Sequence, residues 1–478
     1  SSNNILGNLI NAMRILNTLS GQKEEFIPLK DKKVGIFVCG PTVYDYSHIG
    51  HARTYIIFDV IAKYLRSKGY KVKFVMNITD IDDKVIDRAK EEGKNWKEVS
   101  EFYERAFMED MKKLGIDSVD KFARATDHIK QIIRQIEILI DKGYAYQIED
   151  GIYFDISKFD DYGKLAKRTV KQAEDSVSRI DESVNKRNKG DFVLWRFSLE
   201  EPIWNSPWGF GRPGWHIEDT AISENYLGQQ YDIHCGAQDL IFPHHEAEIA
   251  QQETASGKKP FVKYWLHSGF VTINNQKMSK SLNNFITIKE ILDDYSPEAL
   301  RFMVLSAYYR SPIDYKDDLM KQGEAAIQRI RELLNKLELI KQNGPKNEKI
   351  EVDEIIKNTK IEFQAKMDDD FNTPEALAVL FNFIRITNSF IDEGALDKKS
   401  AGRAIKFLEE IDYIFGILPK SESDIPEEIF GLVQKRENLR KQKAWLEADE
   451  IREQIQKLDY SLEDTPYGPL VKKSGSYR

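Results

Sequence analysis

The chain has 478 residues, 41% of them hydrophobic, and a formal net charge of −8, which expects roughly two to four domains with a core in each. No run of about 18 apolar residues occurs, so no membrane span is expected, and with only Cys39 and Cys235 a disulfide framework is excluded and a reducing, cytoplasmic setting is expected. The acidic balance argues against a chain that coats nucleic acid indiscriminately, while a local basic patch stays compatible with it.

The first legible element is the apolar run Val34–Val38, which reads as a strand and leads through a Gly-Pro turn into His48-Ile49-Gly50-His51. Apolar residues then recur at Ile56, Ile57, Val60, Ile61, Tyr64 and Leu65, which is helical spacing, so the two histidines open a helix. A helix start carries unpaired N–H groups and roughly half a positive charge, which favours phosphate, and two imidazoles add further donors. Val72–Met76 and Tyr231–His234 read as further strands between helical patterns. The expected fold is therefore α/β, a Rossmann-like parallel sheet flanked by helices, with ligands at the carboxyl ends of the strands. Between Tyr144 and Trp208 the short strands Gly151–Asp155 and Phe192–Trp195 surround a charged stretch from Thr169 to Lys189. That pattern reads as an insertion between two sheet halves, with the charged stretch expected to be mobile.

Further along, Gly269–Ile273 reads as a strand running into Lys277-Met278-Ser279-Lys280-Ser281, inside the Asn/Ser-rich loop Asn274–Asn284. A mobile cationic loop of this kind suits closure over a polyphosphate. The histidine and lysine motifs occur once each, about 230 residues apart, and together they describe one ATP site assembled from two halves. From Tyr315 to about Leu418 the period is helical, as at Ala326, Ile327, Ile330, Leu333, Leu334, Leu337 and Ile340, which predicts a bundle. Ser421–Pro426 then links it to a small terminal unit. Basic residues cluster around Trp445 between Lys435 and Lys457, and again at Lys164, Lys167, Arg168 and Lys171. On pattern alone each cluster is either a solvated helix face or an RNA-binding surface.

The two motifs form the signature pair of class I aminoacyl-tRNA synthetases. Four further segments, Phe37–Asp45, Asn77–Lys84, Gly211–Glu218 and Phe242–Glu248, are similar to the cysteinyl-tRNA synthetase family. The resemblance runs from about Met13 to the C-terminus and leaves residues 1–12 as an expected N-terminal extension, or equally a native first helix. It implies a catalytic first half (13–125), a connective insertion (126–210), a catalytic second half (211–275), a lysine-motif loop with a stem-contact region (276–325), a tRNA-binding helical bundle (326–420) and an anticodon-binding unit (421–478). It also implies an ATP-dependent cysteine–tRNA ligase. The carboxylate of L-cysteine attacks the α-phosphate of ATP, Mg²⁺ accompanies the nucleotide, pyrophosphate leaves, and a ribose hydroxyl of cysteine tRNA takes the acyl group. A monomer is expected.

Residue by residue, the resemblance gives His48, His51, Lys277 and Lys280 catalytic roles, with Gly50, His51 and Lys280 against ATP. It puts Cys39, Thr79, Trp215, His216 and Asp239 around the amino acid, and Arg440, Trp445, Asp449, Arg452 and Asp464 against tRNA. Two rival readings stay open. A cysteine and amino-sugar ligase of mycothiol synthesis would lack the tRNA-reading tail, and a non-catalytic tRNA-binding relative would have no use for His48, His51 and Lys280 together.

Choosing cysteine over serine is difficult by shape alone, since a pocket resolves only about 1 to 3 kcal/mol per small group. The family meets this with Zn²⁺, which binds the substrate sulfur and is held by two cysteines, a histidine and a glutamate. Three ligands match as Cys39, His244 and Glu248, the last two spaced to share a helix face. The fourth departs from the family, because Asp219 stands where it has cysteine. A carboxylate binds Zn²⁺ at about 2.0 to 2.2 Å and keeps the thiolate's charge, so the expected set is Cys39, Asp219, His244 and Glu248, harder and weaker than the family's. Cys235 stands where the family has glycine, and reads either as a replacement sulfur or as a small buried residue.

Overall fold

The computed structural model describes residues 12–168, 172, 185–278, 284–346, 352–419 and 426–473. The expected N-terminal extension up to residue 11, residues 169–184 of the charged stretch apart from 172, Lys280 with its neighbours Ser279 and Ser281, and the linker residues 421–425 lie outside the described residues. Two units emerge. The first runs to Leu319 and takes in Lys366–Pro374, and the second comprises Met320–Ala365 and the chain from Glu375 onward.

The first unit opens with the hairpin β1 (Arg14–Asn17) and β2 (Gln22–Glu25), followed by β3 (Lys33–Val38), α1 (Ile49–Ser67), β4 (Lys71–Ile78), α2 (Asp83–Glu92), α3 (Trp96–Lys113), β5 (Lys121–Arg124) and α4 (Ile129–Asp141). Five short strands come next, β6 (Ala145–Ile148), β7 (Gly151–Phe154), β8 (Phe192–Phe197), β9 (Trp204–Ser206) and β10 (Gly209–Pro213). Then α5 (Trp215–Leu227), β11 (Tyr231–Ala237), α6 (Glu246–Ser256) and β12 (Val262–Ser268) return the chain to the main sheet, and β13 (Val271–Ile273) follows in a separate small sheet.

The main sheet has the order β12-β11-β3-β4-β5 and every pairing in it is parallel. It contains the three strands expected from the sequence and two more, β5 and β12. The chain starts at the centre with β3, builds outward through β4 and β5, then returns on the other side of β3 as β11. The topological switch point therefore lies between β3 and β11, and in open α/β sheets the crevice outside the strand ends at that point is where ligands bind. Cys39 lies there, its backbone N–H donating to the Cys235 carbonyl at 3.1 Å. The inserted strands form a separate antiparallel sheet of order β6-β7-β8-β10-β9. It does not stand apart, because Ile152, Phe154, Leu194 and Trp195 share one core with α4, α5 and the main sheet.

The helix read from the apolar spacing is α1, and it is buried on every side from Ala52 to Leu65. Burial of each aliphatic side chain there contributes roughly 1.5 to 3 kcal/mol, and the enclosed Asp59 and Arg53 both meet partners. Asp59 accepts from Arg301 at 2.9 Å and pairs with Lys63 at 3.1 Å. Arg53, 1% exposed, donates to the carbonyls of Phe270 (2.7 Å), Tyr309 (3.2 Å) and Ser311. This clasp binds the N-terminal part of α1 to Phe270, just before β13 and the lysine motif that follows it, and to the segment 309–311.

In the second unit the helices Val352–Asp368, Thr373–Asp392 and Lys398–Phe415 follow the long helix Asp317–Asn343, in keeping with the helical period read across this region. The terminal part is a helix pair, Glu427–Lys441 and Trp445–Lys457, with an antiparallel hairpin, Tyr460–Thr465 and Gly468–Lys473. Its own small core is built on Ile429, Val433, Ile451, Ile455 and Leu462. Among the described residues no helix is long and apolar enough to cross a membrane.

Candidate active site and metal centre

His48 is the N-cap of α1 and its ring takes the place of the usual Ser or Asp. Nδ1 of His48 accepts from the N–H of Gly50 at 3.0 Å and of His51 at 3.4 Å, while Nδ1 of His51 accepts from the N–H of His48 at 3.3 Å. This is a capping box made of two imidazoles, stacked with centroids 3.8 Å apart. Gly50 is what permits it, since a Cβ there would come within 2.8 Å of the His48 ring. Burial pushes His48 down to about 4 and His51 well below the usual imidazole range, the latter with help from His48 and Lys84. Both rings are thus neutral near pH 7. With Nδ1 committed as an acceptor, each must carry its proton on Nε2. The pair therefore offers two N–H donors without a formal charge.

Those rings line a cavity of about 320 Å³ together with Thr42, Tyr44, Lys84 and Met278. The segment that walls it, residues 41–44, is tied to the end of β4: Thr79 N–H donates to Pro41 and Val43 N–H to Thr79, both at 3.1 Å. Gly40 makes that approach possible, because a Cβ at this position would lie 1.7 Å from the Asn77 carbonyl oxygen. Met278 of the lysine motif reaches the cavity, whereas Lys277 is exposed with its ammonium 5.7 Å from the Phe270 ring centre.

A few residues away lies a cluster in which every donor is buried. Cys39 Sγ is 3.0 Å from Asp219 Oδ2, and His244 Nε2 is 3.1 Å from that same oxygen and 3.3 Å from Glu248 Oε1. Asn77 donates to Asp219 Oδ1 at 2.7 Å, which turns the other oxygen toward Cys39 and His244. His244 does not lie in regular α-helix with Glu248, as the spacing had suggested. It lies in a kinked turn, Ile241–His245, ahead of α6, and the two side chains still converge.

Of the residues expected at the amino acid, Trp215 stacks on His244 at 4.1 Å and His216 Nδ1 meets His244 Nδ1 at 2.7 Å. Thr79 donates to Glu218 at 3.2 Å. Trp215 and His216 also line a second cavity of about 200 Å³, against Phe192 and Arg212. Asp239 sits on an exposed turn, Gln238–Leu240, and is not drawn into the cluster. Cys235 is fully buried but falls in neither group of residues able to share a metal. Successive strand residues face opposite ways, so it points away from the face of β11 that carries His234, and of its two readings the structure favours the small buried residue. Four groups of consequence carried no assigned role from sequence: Asn77, Arg53, His234 and His245. His234 Nε2 and His245 Nε2 approach Cys39 Sγ to 3.4 and 3.0 Å.

The donor chemistry of the cluster fits a divalent cation. Burial, reinforced by Asp219 and Glu248, pushes the Cys39 thiol well up, and burial with Asp219 does the same to Glu248. Glu248 Oε2 is buried without a hydrogen-bond partner, a costly arrangement in a protein interior unless something else satisfies the atom. A cation among these groups removes that cost.

In the terminal unit Trp445 is exposed at 56% and Asp449 is exposed beside it. Arg440 and Asp464, both expected against tRNA, instead engage one another at 2.5 Å. Asp464 also accepts a bidentate pair from Arg436 at 2.8 and 2.9 Å, and Arg452 donates to the Leu462 carbonyl at 3.2 Å.

Residues 25–325 match the family model for the class I (C) tRNA synthetase catalytic domain, 362–419 the DALR domain, and 422–468 the cysteinyl-tRNA ligase anticodon binding domain. A cysteine–tRNA ligase of Thermodesulfovibrio yellowstonii is 48% identical over 95% of this chain and 98% of its own length. One from Thermococcus gammatolerans is 47% identical over 97% and 99%. In fold, the chain resembles the Mycobacterium tuberculosis methionyl-tRNA synthetase in complex with methionyl-adenylate, with TM-score 0.60 and 16% identity over 80% of this chain and 89% of that one. The capped histidine pair, the parallel sheet and these full-length similarities lead to one conclusion: the chain belongs to the cysteine–tRNA ligase family of class I aminoacyl-tRNA synthetases.

Proposed function

We propose that the protein activates L-cysteine with ATP and transfers it to cysteine tRNA. The observation that carries this reading is the pair of neutral, N-capping imidazoles over a cavity of about 320 Å³, linked through Thr79 and Asn77 to a buried thiol, imidazole and carboxylate cluster. In the first step the cysteine carboxylate oxygen bonds to the α-phosphorus and the bond to pyrophosphate breaks. His48 and His51 donate Nε2–H to oxygens on which charge builds, and cationic Lys277 and Lys280, with Mg²⁺ on the nucleotide, offset the remaining charge. No protein nucleophile is needed, so positioning and preorganised donors carry the step.

Cys39, Asp219, His244 and Glu248 would hold Zn²⁺ where the amino acid side chain arrives. When bound, the ion supplies a thiophilic contact that serine's hydroxyl cannot match. Trp215, stacked on His244, shields one side of that contact from water. The match of residues 422–468 to an anticodon binding domain supports tRNA over an amino-sugar as acyl acceptor, with the exposed Trp445 on that unit available for stacking on a base. The test is cysteine-dependent exchange of pyrophosphate into ATP in the absence of tRNA, followed by charging of cysteine tRNA. Exchange with cysteine at least a hundredfold faster than with serine is expected, and no exchange with either amino acid would refute the assignment.

A further inference from the structure

Cys39 and Glu248 are flanked by two sets of partners. Asp219 and His244 lie to one side, His234 and His245 to the other, and within either set of four the donor atoms fall within 4.8 Å of one another. We infer that Cys39, His234, His245 and Glu248 form an inner seat that holds the divalent cation before the amino acid arrives, and that the outer seat with Asp219 and His244 is the one open to substrate. This inference rests on the reading of the cluster as a metal centre and adds where the ion rests.

Donor chemistry favours the inner seat. It offers one sulfur, two nitrogens and one oxygen, the outer one sulfur, one nitrogen and two oxygens, and Zn²⁺ in protein sites is held mainly by nitrogen and sulfur. The inner histidines are also held in place from behind. His234 Nδ1 meets Tyr231 Oη at 2.7 Å. His245 Nδ1 meets His267 Nε2 at 2.8 Å, and His267 Nδ1 meets Thr18 Oγ1 at 2.8 Å. With Nδ1 of each ring so engaged, Nε2 is the atom turned to Cys39 and Glu248, an outer-shell arrangement typical of metal-binding histidines.

Two further observations point to a ligand at this position. The unpartnered Glu248 Oε2 faces the inner side, 3.6 Å from His234 Nε2. Gly236 leaves the room that the His245 ring occupies, since a Cβ there would lie 2.7 Å from its Cε1. Access separates the two seats. All the flanking donors are buried, but His234 is covered by the fully buried Trp265, stacked on it at 4.4 Å, whereas His244 is covered by Trp215. The outer seat is bounded by Trp215, which is 36% exposed and lines the neighbouring cavity.

The test is X-ray absorption of the full chain loaded with Zn²⁺, without amino acid, in which imidazole scattering counts the histidines. One sulfur and two imidazoles are expected, and one imidazole would overturn the inner seat. Competition with a chromophoric chelator then compares variants. His234→Gln and His245→Gln should each weaken Zn²⁺ binding at least tenfold, while His244→Gln should change it less than threefold; the reverse order would also overturn the inference. Asp219→Cys should draw the ion outward, giving two sulfurs and one imidazole and a site indifferent to His234→Gln. If a variant fails to fold, as judged by its thermal melt, the wild-type spectrum still decides. If the wild-type chain holds no Zn²⁺ against the chelator, the metal reading itself falls, which is a different result from a one-imidazole spectrum.

Discussion

Replacing His48 separates its two tasks. Its Nδ1 caps α1 by accepting from Gly50 and His51 at 3.0 and 3.4 Å, and its Nε2–H is the donor assigned to the reacting phosphate. Asparagine places an amide oxygen where the imidazole has Nδ1 and has nothing where it has Nε2. His48→Asn should therefore keep the cap, leaving stability within about 0.5 kcal/mol of the wild type, because Asn is among the best N-caps. The same variant should lower pyrophosphate exchange by about 10² to 10³, the usual cost of losing one preorganised donor. His48→Ala should lose as much activity and in addition about 1 kcal/mol of stability through the uncapped helix start. Thermal or urea unfolding gives the stability and isotope exchange at saturating cysteine gives the rate. If His48→Asn exchanges within threefold of the wild type, the histidine acts on the helix and not on the phosphate.

Asn77→Ala would leave Asp219 Oδ1 buried without its donor at a cost of about 1 to 3 kcal/mol, while Zn²⁺ resting on the inner seat should be held within about threefold of the wild type; a tenfold or greater loss in chelator competition would place the resting ion on Asp219 instead. His48 also sets a pH dependence. Its folded value of about 4 lies below the ordinary 6.5, so its contribution is fully present above about pH 6.5 and is lost as pH falls toward 4, by up to about 3 kcal/mol at 1.36 kcal/mol per unit. The melting temperature of the wild type should thus fall more steeply over that window than that of His48→Asn, and parallel curves would contradict the buried neutral ring. Asp464→Ala strips the bidentate partner from Arg436, which is only 3% exposed, and should weaken tRNA charging by loosening the terminal unit while leaving cysteine activation unchanged; an intact terminal unit by proteolysis together with lost charging would instead indicate direct contact of Asp464 with RNA.

What was legible in the sequence was local. The histidine pair, the strand before it, the three-strand start of the sheet and the insertion are written in short strings whose spacing carries their geometry. Cys39, His244 and Glu248 came from the resemblance, and the structure brings them together with Asp219. The rest depended on which strands become neighbours. The short edge strand β5, Lys121–Arg124, starts and ends on a cation and has no apolar run to announce it. His234 and His245 face Cys39 because β11 pairs with β3 in a register that sets His234 opposite Phe37 and Cys235 opposite Val38, and nothing near either residue encodes that pairing. Arg53 looks like a surface residue on a helical wheel and becomes a clasp only when residues 270 to 311 fold against it. Arg440 and Asp464 look like free charges until the hairpin carries Asp464 back onto the helix Glu427–Lys441.

The Arg53 clasp joins residues 258 positions apart, and the contact between Cys39 and His245 spans 206. During synthesis at about 5 to 20 residues per second, the acceptors of Arg53 emerge roughly 10 to 50 seconds after it. Through that interval β3, which ends just before Cys39, has one open edge and α1 has an unanswered guanidinium, so the nascent first half is a sticky intermediate and not a small enzyme. Contacts of such long range slow folding, because the closure entropy of the loop comes before the contact rewards it. Truncated or stalled chains ending before β11 should accordingly depend on chaperones, a vulnerability that follows from a site distributed over both halves of the chain.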